Sequence, residues 1–228
     1  MASRLEHLLK QFEIRVLLAW VGLAGAGWAF LVLGGEIGEG ETETIDQRLI
    51  MMLRKAGNVT DPIGPPWFND SMRDVTALGG FTFLTLLSVV FVLGLIFHRK
   101  WREGVILAIT AIGAQGSIEI LKIYYDRPRP NQVLLATQAY SSSFPSGHTT
   151  ESTAIFLTAA TVIATLETRT DTKILAFVVA IFVIVGVGFS RVYLGMHWPT
   201  DVLGGWVLGA GWALAAWIAL RQTYKTAP

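Results

Sequence analysis

The sequence contains no cysteine and little charge. Of its 228 residues, 15% are charged and 52% are hydrophobic, whereas a soluble domain averages about 25% charged residues. Without cysteine, disulfide bonds, thiolate metal ligands and cysteine nucleophiles are all excluded. The formal net charge of +1 gives no reason to expect nucleic acid as a partner. The scarcity of charge therefore indicates a membrane protein, and the length fits a single domain, residues 1–228.

Six apolar stretches are long enough to cross a bilayer, which takes about 20 helical residues. We therefore predict an all-α bundle of six transmembrane helices. The predicted spans are Ile14–Gly35, Val75–Phe97, Gly104–Tyr124, Thr149–Leu166, Ile174–Leu194 and Val202–Leu220. The first run follows three basic residues, but it is longer than the apolar core of a signal peptide and no A-x-A cleavage site follows it. We expect it to be retained as the first span.

The distribution of lysine and arginine predicts the orientation of these spans. With six spans both termini lie on one face of the membrane, and that face carries ten Lys and Arg residues against eight on the other. The ten lie in short segments, where the positive-inside bias is most reliable. We therefore expect both termini in the cytoplasm, with the segments after spans one, three and five on the opposite side.

The connection between spans one and two is too long for a plain loop. Within it, the segment from Ile45 to Lys55 places apolar residues at helical spacing, namely Ile45, Leu49, Ile50, Met52 and Leu53. This spacing predicts an amphipathic helix in the membrane interface. The helix could be a packing cap or part of a lipid entrance. The segment from Gly64 to Trp67 is expected to break any helix before span two.

Three polar clusters are predicted on the face opposite the termini. Lys122 to Pro130 follows span three, Pro145 to His148 precedes span four, and Ser190 to Asp201 bridges spans five and six. Taken alone, each has an ordinary explanation: Pro-Ser-Gly is a common turn and helix-cap string, and single cations at span ends snorkel to the interface. Together, eleven residues at fixed internal spacing form one pattern.

These clusters resemble, position for position, the three-part signature of the type 2 phosphatidic acid phosphatase (PAP2) family, which is K-x6-RP, PSGH and SR-x5-H-x3-D. The resemblance implies a phosphatase without metal or cofactor. In it His197 attacks phosphorus to form a phosphohistidine, Asp201 orients His197, and His148 acts first as acid and then as base. The phosphate-binding residues that it implies are Lys122, Arg129, Ser146, Gly147 and Arg191.

The cationic residues suit phosphoryl transfer on physical grounds. Lys122, Arg129 and Arg191 can neutralise the phosphate oxygens and hold phosphorus in line for attack. Ser146 and Gly147 lie just before an apolar helix, where unpaired backbone N–H groups and the positive end of the helix dipole favour an anion.

The spacing of His197 and Asp201 suits a nucleophilic histidine. A carboxylate four residues away could hold one ring nitrogen so that the other can attack phosphorus. Pro199 lies between the two, and we therefore expect the last helix to begin near this proline.

Two acidic residues within the predicted spans have less certain roles. Glu119 lies in span three, three residues before Lys122, and a buried carboxylate there needs a partner. It could pair with Lys122 or form a structural bond to another span. Glu151 lies one turn after His148 and could tune it. Arg127 falls in the variable interval of the first motif and could snorkel to the interface.

Several functions share this pattern. Vanadium-dependent haloperoxidases have the same motifs, but they are soluble in the family pattern, whereas this chain has membrane spans. A lipid phosphotransferase would need a second substrate, and a non-enzymatic binder or transporter would not need His197. We predict a lipid phosphatase acting on phosphatidic acid, phosphatidylglycerol phosphate, undecaprenyl diphosphate or a lipid A phosphate. The resemblance to bacterial members implies the inner membrane, a periplasmic site, membrane lipids as partners, and no obligate protein partner.

Overall fold

The computed structural model describes the backbone of residues 2–130 and 142–225, and this part of the chain is mostly helical. Its elements, in chain order, are α1 (Ala2–Glu39), α2 (Glu43–Met51), β1 (Arg54–Lys55), β2 (Asn58–Pro62), α3 (Pro66–Ala77), α4 (Phe81–Phe97), α5 (Trp101–Tyr125), α6 (Gly147–Leu166), α7 (Thr170–Tyr193) and α8 (Pro199–Lys225). The predicted all-α class is confirmed apart from one short hairpin.

The described helices fit a multi-pass membrane protein. Five are long and apolar enough to cross a membrane, namely α5, α6, α7, Val16–Glu39 within α1, and Pro199–Gln222 within α8. A sixth candidate exists if α3 and α4 are taken as one span bent by 46°.

The predicted second span, Val75–Phe97, is wrong as a straight helix. The chain breaks between Ala77 and Phe81, where Gly79 and Gly80 lie. A Cβ on Gly79 would lie 2.5 Å from Cγ1 of Val187, so α7 approaches this break as closely as a bare backbone allows.

Helix α6 lies at the centre of the bundle. It packs against α4, α5, α7 and α8 and is the most buried of the five candidate spans. Glycines bring α8 against its backbone: a Cβ on Gly209 would lie 2.5 Å from the carbonyl oxygen of Thr150, and a Cβ on Gly205 would lie 3.0 Å from that of Ser146. The N-terminal ends of α6 and α8 are therefore side by side.

The connection between α1 and α3 folds as a helix followed by a hairpin. The helix predicted from Ile45 to Lys55 ends at Met51, because Arg54 and Lys55 pair in antiparallel fashion with Pro62 and Asn58. Gly57 makes the reversal with a φ of +80°, which favours a residue without Cβ. The predicted helix is therefore correct in its first part and wrong in its last residues.

Helix α2 has two distinct faces. Ile45, Leu49 and Met52, which follow one another at helical spacing, are exposed, whereas Asp46 and Ile50 are buried against the protein. The buried face therefore combines an apolar side chain with a carboxylate, and this carboxylate contacts the site described next.

Candidate active site

His197 lies in the short turn between α7 and α8. Gly195 in this turn has a φ of +70°. The chain then curls back, and the backbone N–H groups of Met196 and His197 both donate to the carbonyl oxygen of Arg191, at 3.0 and 3.3 Å. Met196 packs with Tyr193, Leu194 and residues of α3. The turn is thereby anchored, and the His197 ring is buried.

The two ring nitrogens of His197 face different partners. Nδ1 lies 3.4 Å from Oδ2 of Asp201, and Nε2 lies 3.2 Å from Nη1 of Arg129. A guanidinium only donates, so the network assigns the lone pair to Nε2 and the proton to Nδ1, facing the carboxylate. Burial lowers the pKa of His197 to about 3, against the opposing effect of Asp201. The ring is therefore neutral at pH 7.

Asp201 is fixed by four hydrogen-bonding neighbours. Besides His197, its Oδ2 accepts from the backbone N–H of Trp198 at 2.8 Å and from the hydroxyl of Ser143. Its Oδ1 accepts from Nη1 of Arg127 at 2.6 Å. Helix α8 begins at Pro199, as predicted, so the carboxylate also lies in the first turn, where the helix dipole favours a negative charge.

Three cations converge around His148, and two of them, Arg129 and Arg191, also interact with the His197 ring. His148 interacts electrostatically with Arg191, His197, Lys122 and Arg129, and Lys122 interacts in turn with both arginines. Burial is the main cause of a lowered pKa for Arg129. Like charges held together in a buried place repel one another. Such a cluster is suited to an anion that neutralises it.

Arg191 has a side-chain N–H donor that no described residue accepts. The residue is buried, and its Nη1 donates to the hydroxyl of Thr76 on α3 at 3.1 Å. Its Nε is also buried and has no hydrogen-bond partner among the described residues. An unpaired buried donor costs about 1–3 kcal/mol, and an anion in the site would remove this cost.

At the start of α6, Gly147 and His148 lie near the cations. The hydroxyl of Ser146 instead contacts Thr149. A Cβ on Gly147 would lie 3.7 Å from Nζ of Lys122. Ser146 is fully buried, with its hydroxyl 2.9 Å from that of Thr149 and its backbone N–H donating to the carbonyl oxygen of Asp201 at 3.1 Å. Ser146 thus joins the start of α6 to the start of α8, and its predicted part in phosphate binding stays a prediction.

The two acidic residues of the spans have different surroundings. Glu119 is exposed on the bundle surface, so the expectation of a buried carboxylate is wrong. Its Oε1 accepts from Nε2 of Gln115 at 2.9 Å, and it attracts Lys122 electrostatically. Glu151 is buried and also interacts with Lys122. Among the described residues, no group of three or more His, Asp or Glu side chains could hold a metal ion.

Comparison with known proteins identifies the family. The profile of the PAP2 superfamily matches residues 103–225. Phosphatidylglycerophosphatase B of Bacillus subtilis is 33% identical over 181 residues, which cover 79% of this chain and 85% of that protein. The chain belongs to the PAP2 superfamily. This membership confirms the family and the lipid-phosphatase function predicted from the sequence.

Further relatives resemble this chain in sequence or in fold. Undecaprenyl-diphosphatase of Sulfolobus acidocaldarius is 35% identical over 121 residues, 51% of this chain and 54% of that protein. The crystal structure of the transmembrane PAP2-type phosphatidylglycerolphosphate phosphatase of Bacillus subtilis matches with a TM-score of 0.74 and 28% identity, covering 90% of this chain and 97% of that one. LpxE of Aquifex aeolicus shares the fold, with a TM-score of 0.53 at 24% identity over 74% of this chain and 90% of that one.

The sequence did not predict the residues that hold Asp201 in this PAP2 site, namely Arg127, Asp46 and Ser143. Arg127 is buried at the end of α5 and contacts both Asp201 and Asp46. The sequence offered one signal, since Asp46 lies four residues before Ile50 and therefore on its helical face. Ser143 carried no such signal, because it lies in an irregular segment before α6.

Proposed function

We propose that this PAP2 protein hydrolyses a phosphate monoester or diphosphate on a membrane lipid through a phosphohistidine at His197. One observation carries the proposal. The unprotonated Nε2 of a neutral, buried His197 lies 3.2 Å from Nη1 of Arg129, which together with Lys122 and Arg191 forms the cation cluster around His148. A nucleophile beside a preorganised anion site is the arrangement that phosphoryl transfer requires.

In the first step, the Nε2 lone pair attacks phosphorus as the bond from phosphorus to the leaving oxygen breaks. His148 donates a proton to that oxygen, and the departing group leaves as an alcohol or a lipid monophosphate. The new phosphoimidazole keeps its proton on Nδ1, and Asp201 stabilises the positive charge that develops on the ring.

In the second step, His148 takes a proton from water as the water oxygen attacks phosphorus. The bond from phosphorus to Nε2 breaks, inorganic phosphate forms, and His197 recovers its lone pair. Lys122, Arg129, Arg191 and the backbone at Gly147 hold the phosphoryl oxygens in both steps. The role of the cations is to neutralise the transferred group, so we propose a reaction that needs no metal ion.

An apolar groove of about 430 Å³ between α4, α5 and α6 could hold a lipid chain. Phe81 and Glu151 line one end. Phe81 follows Gly80, at which a Cβ would lie 3.9 Å from Nε2 of His148. The groove continues along α5 to Ala108, fourteen residues from Lys122, or about 20 Å of helix. That length suits an acyl chain whose phosphate lies at the cations.

The proposed arrangement in the membrane has six spans, with α3 and α4 together forming the second. The exposed side chains Ile45, Leu49 and Met52 would place α2 in the interface, facing lipid. Residues 1–228 would act as one domain, because the site combines groups from α3, α5, α6, α7 and α8. The Lys and Arg distribution supports cytoplasmic termini, with the site on the opposite side of the membrane. The inner membrane and a periplasmic site follow from the resemblance to bacterial members.

Among the candidate lipids, phosphatidylglycerol phosphate is the first to test. A relative that matches 79% of this chain is named phosphatidylglycerophosphatase B. Phosphatidic acid, undecaprenyl diphosphate and a lipid A phosphate complete the panel.

The decisive experiment measures phosphate release from this panel by purified wild type and His197→Ala, with and without a chelator. We expect turnover without added metal, no turnover in His197→Ala, and a base-stable phosphoenzyme trapped only with wild type. Turnover that persists in His197→Ala would refute the nucleophile, and loss on chelation would refute the metal-free reaction. A requirement for a second acceptor would indicate a transferase, and binding without turnover would indicate a binder.

The groove has its own test, in which Ala111→Trp fills it with an indole. We expect kcat/KM for a long-chain lipid phosphate to fall more than about tenfold, while a short-chain phosphate is little affected. Ala26→Trp is the matched control, because Ala26 lines a separate apolar cavity between α1, α5 and α8. Equal losses on long and short chains would contradict the groove assignment.

A further inference from the structure

A buried chain of polar groups continues from the His197 site to helix α2. Arg127 lies at its centre, with 8% of its side chain exposed, between the carboxylates of Asp46 and Asp201, both fully buried. Its Nη1 donates to Oδ1 of Asp201 at 2.6 Å, and its Nη2 donates to Oδ2 of Asp46 at 2.7 Å. Three charges that would each be costly to bury alone are thus paired.

The backbone conformation around Arg127 fixes the position of its side chain. Helix α5 ends at Tyr125, and Asp126 takes the left-handed conformation, with a φ of +40°, which aspartate tolerates better than most residues. The backbone N–H of Arg127 then donates to the hydroxyl of Ser142 at 3.0 Å. Its guanidinium also lies over the ring of Trp198, 5.7 Å from the centroid.

Asp46 also contacts the start of α8 directly, through Thr200. Its Oδ1 accepts from the backbone N–H of Thr200 at 3.0 Å, and its Oδ2 accepts from the Thr200 hydroxyl at 2.5 Å. Thr200 immediately precedes Asp201 and also accepts from Nη1 of Arg127 at 2.8 Å. Asp46 and Arg127 therefore hold both the backbone and the carboxylate of the residue that faces His197.

The net charge of Asp46, Arg127 and Asp201 determines how strongly Asp201 can stabilise a positive charge on the His197 ring. Arg127 alone would neutralise Asp201, but Asp46 shares the guanidinium, so the three groups together carry a net charge of −1. A net negative charge next to Nδ1 stabilises the positive ring that exists only after Nε2 bonds to phosphorus. Two carboxylates on one guanidinium thus keep Asp201 fixed without cancelling its charge.

We infer that Asp46 and Arg127 are positioning residues for the reaction, acting through Asp201 on His197. The inference rests on the proposed function, since it concerns the phosphohistidine step. Their ion pairs run to Asp201 and to each other, so they should affect the rate of the chemical step more than the binding of substrate.

The test compares Asp46→Asn, Arg127→Gln, the double variant and Arg127→Lys, each measured per folded protein for kcat, KM and the rate of phosphoenzyme formation. Asp46→Asn brings the net charge of the group to zero. We expect kcat to fall about 10- to 100-fold, as for other residues that orient a reactive group, with KM within about threefold of wild type. Asp61→Asn is the matched control, because Asp61 forms only an exposed contact with Lys55, at 3.9 Å.

The double variant separates charge from mere structure. Arg127→Gln leaves two buried carboxylates without their shared donor, and their mutual repulsion should displace Asp201 or favour its protonated form. The double variant removes that repulsion and restores the net charge of −1. We expect kcat to be higher in the double variant and in Arg127→Lys than in Arg127→Gln. If Arg127→Gln does not fold, the double variant and Arg127→Lys are compared with wild type instead. Losses in the double variant that equal the product of the single losses would overturn the inference. So would wild-type kcat in Asp46→Asn when His197→Ala is inactive, whereas an active His197→Ala would instead refute the proposed function.

Discussion

Replacing Asp201 with asparagine keeps the size of the side chain but puts an NH₂ group in place of one carboxylate oxygen. Both orientations of the amide conflict with the surrounding donors. At the position of Oδ1, the NH₂ would face Nη1 of Arg127 at 2.6 Å. At the position of Oδ2, it would face the backbone N–H of Trp198 at 2.8 Å and Nδ1 of His197 at 3.4 Å.

Both orientations lower stability, and the second also removes the nucleophilic lone pair. In the first, two donors oppose each other in a buried place, which costs about 1–3 kcal/mol of stability. In the second, Nδ1 of His197 would have to accept, so the proton would move to Nε2 and the attacking lone pair would be lost. A tautomer error of this kind in a serine protease triad lowers kcat about 10⁴-fold. We expect a loss of about 10³- to 10⁴-fold for Asp201→Asn, or about 4–5.5 kcal/mol of transition-state stabilisation.

The assay is phosphate release from a lipid phosphate at saturating substrate, together with thermal unfolding in the same detergent. Asp201→Asn should lose both kcat and some thermal stability, while Asp61→Asn should keep both. A kcat within threefold of wild type in a folded Asp201→Asn protein would refute the role assigned to Asp201, which is to hold the His197 tautomer and to stabilise the charged ring.

Three further predictions follow from single contacts. The folded-state pKa of His197, about 3, lies below its ordinary value of 6.5, so its contribution to stability is complete above pH 6.5 and is lost as pH falls toward 3. His197→Asn should therefore flatten the decline of unfolding free energy between pH 6.5 and 4.5 by up to about 1.4 kcal/mol per pH unit, and an unchanged slope would contradict this burial. Arg191→Lys removes the unpaired Nε and the planar fork, and kcat/KM should fall about 100-fold; a loss below threefold would exclude Nε as a phosphate donor. Gly209→Ala forces a Cβ against Thr150 and Thr153 and should cost about 1–3 kcal/mol in a thermal or denaturant unfolding assay, whereas Gly116→Ala, with nothing within 4 Å, should not.

Local features of the chain were sufficient to predict the family and most of the helices. The length of an apolar stretch and the spacing of residues within a motif can both be counted along the sequence. For that reason α5, α6, α7 and α8 lie close to where the apolar stretches predict them, and α8 begins at Pro199. The break before Phe81 was missed, because the glycines there matter only through the neighbouring helix that they admit.

Contacts between distant parts of the chain were decided by the tertiary structure alone. Arg127 and Asp46 are 81 residues apart, and neither belongs to the signature. Ser146 does belong to it, yet its hydroxyl faces Thr149 and its N–H faces Asp201, because α8 packs directly against the start of α6. Composition and spacing therefore determined that this chain is a PAP2 membrane protein. The packing of its helices determined which side chains surround His197, since burial and pairing of charges depend on neighbours that sequence order does not specify.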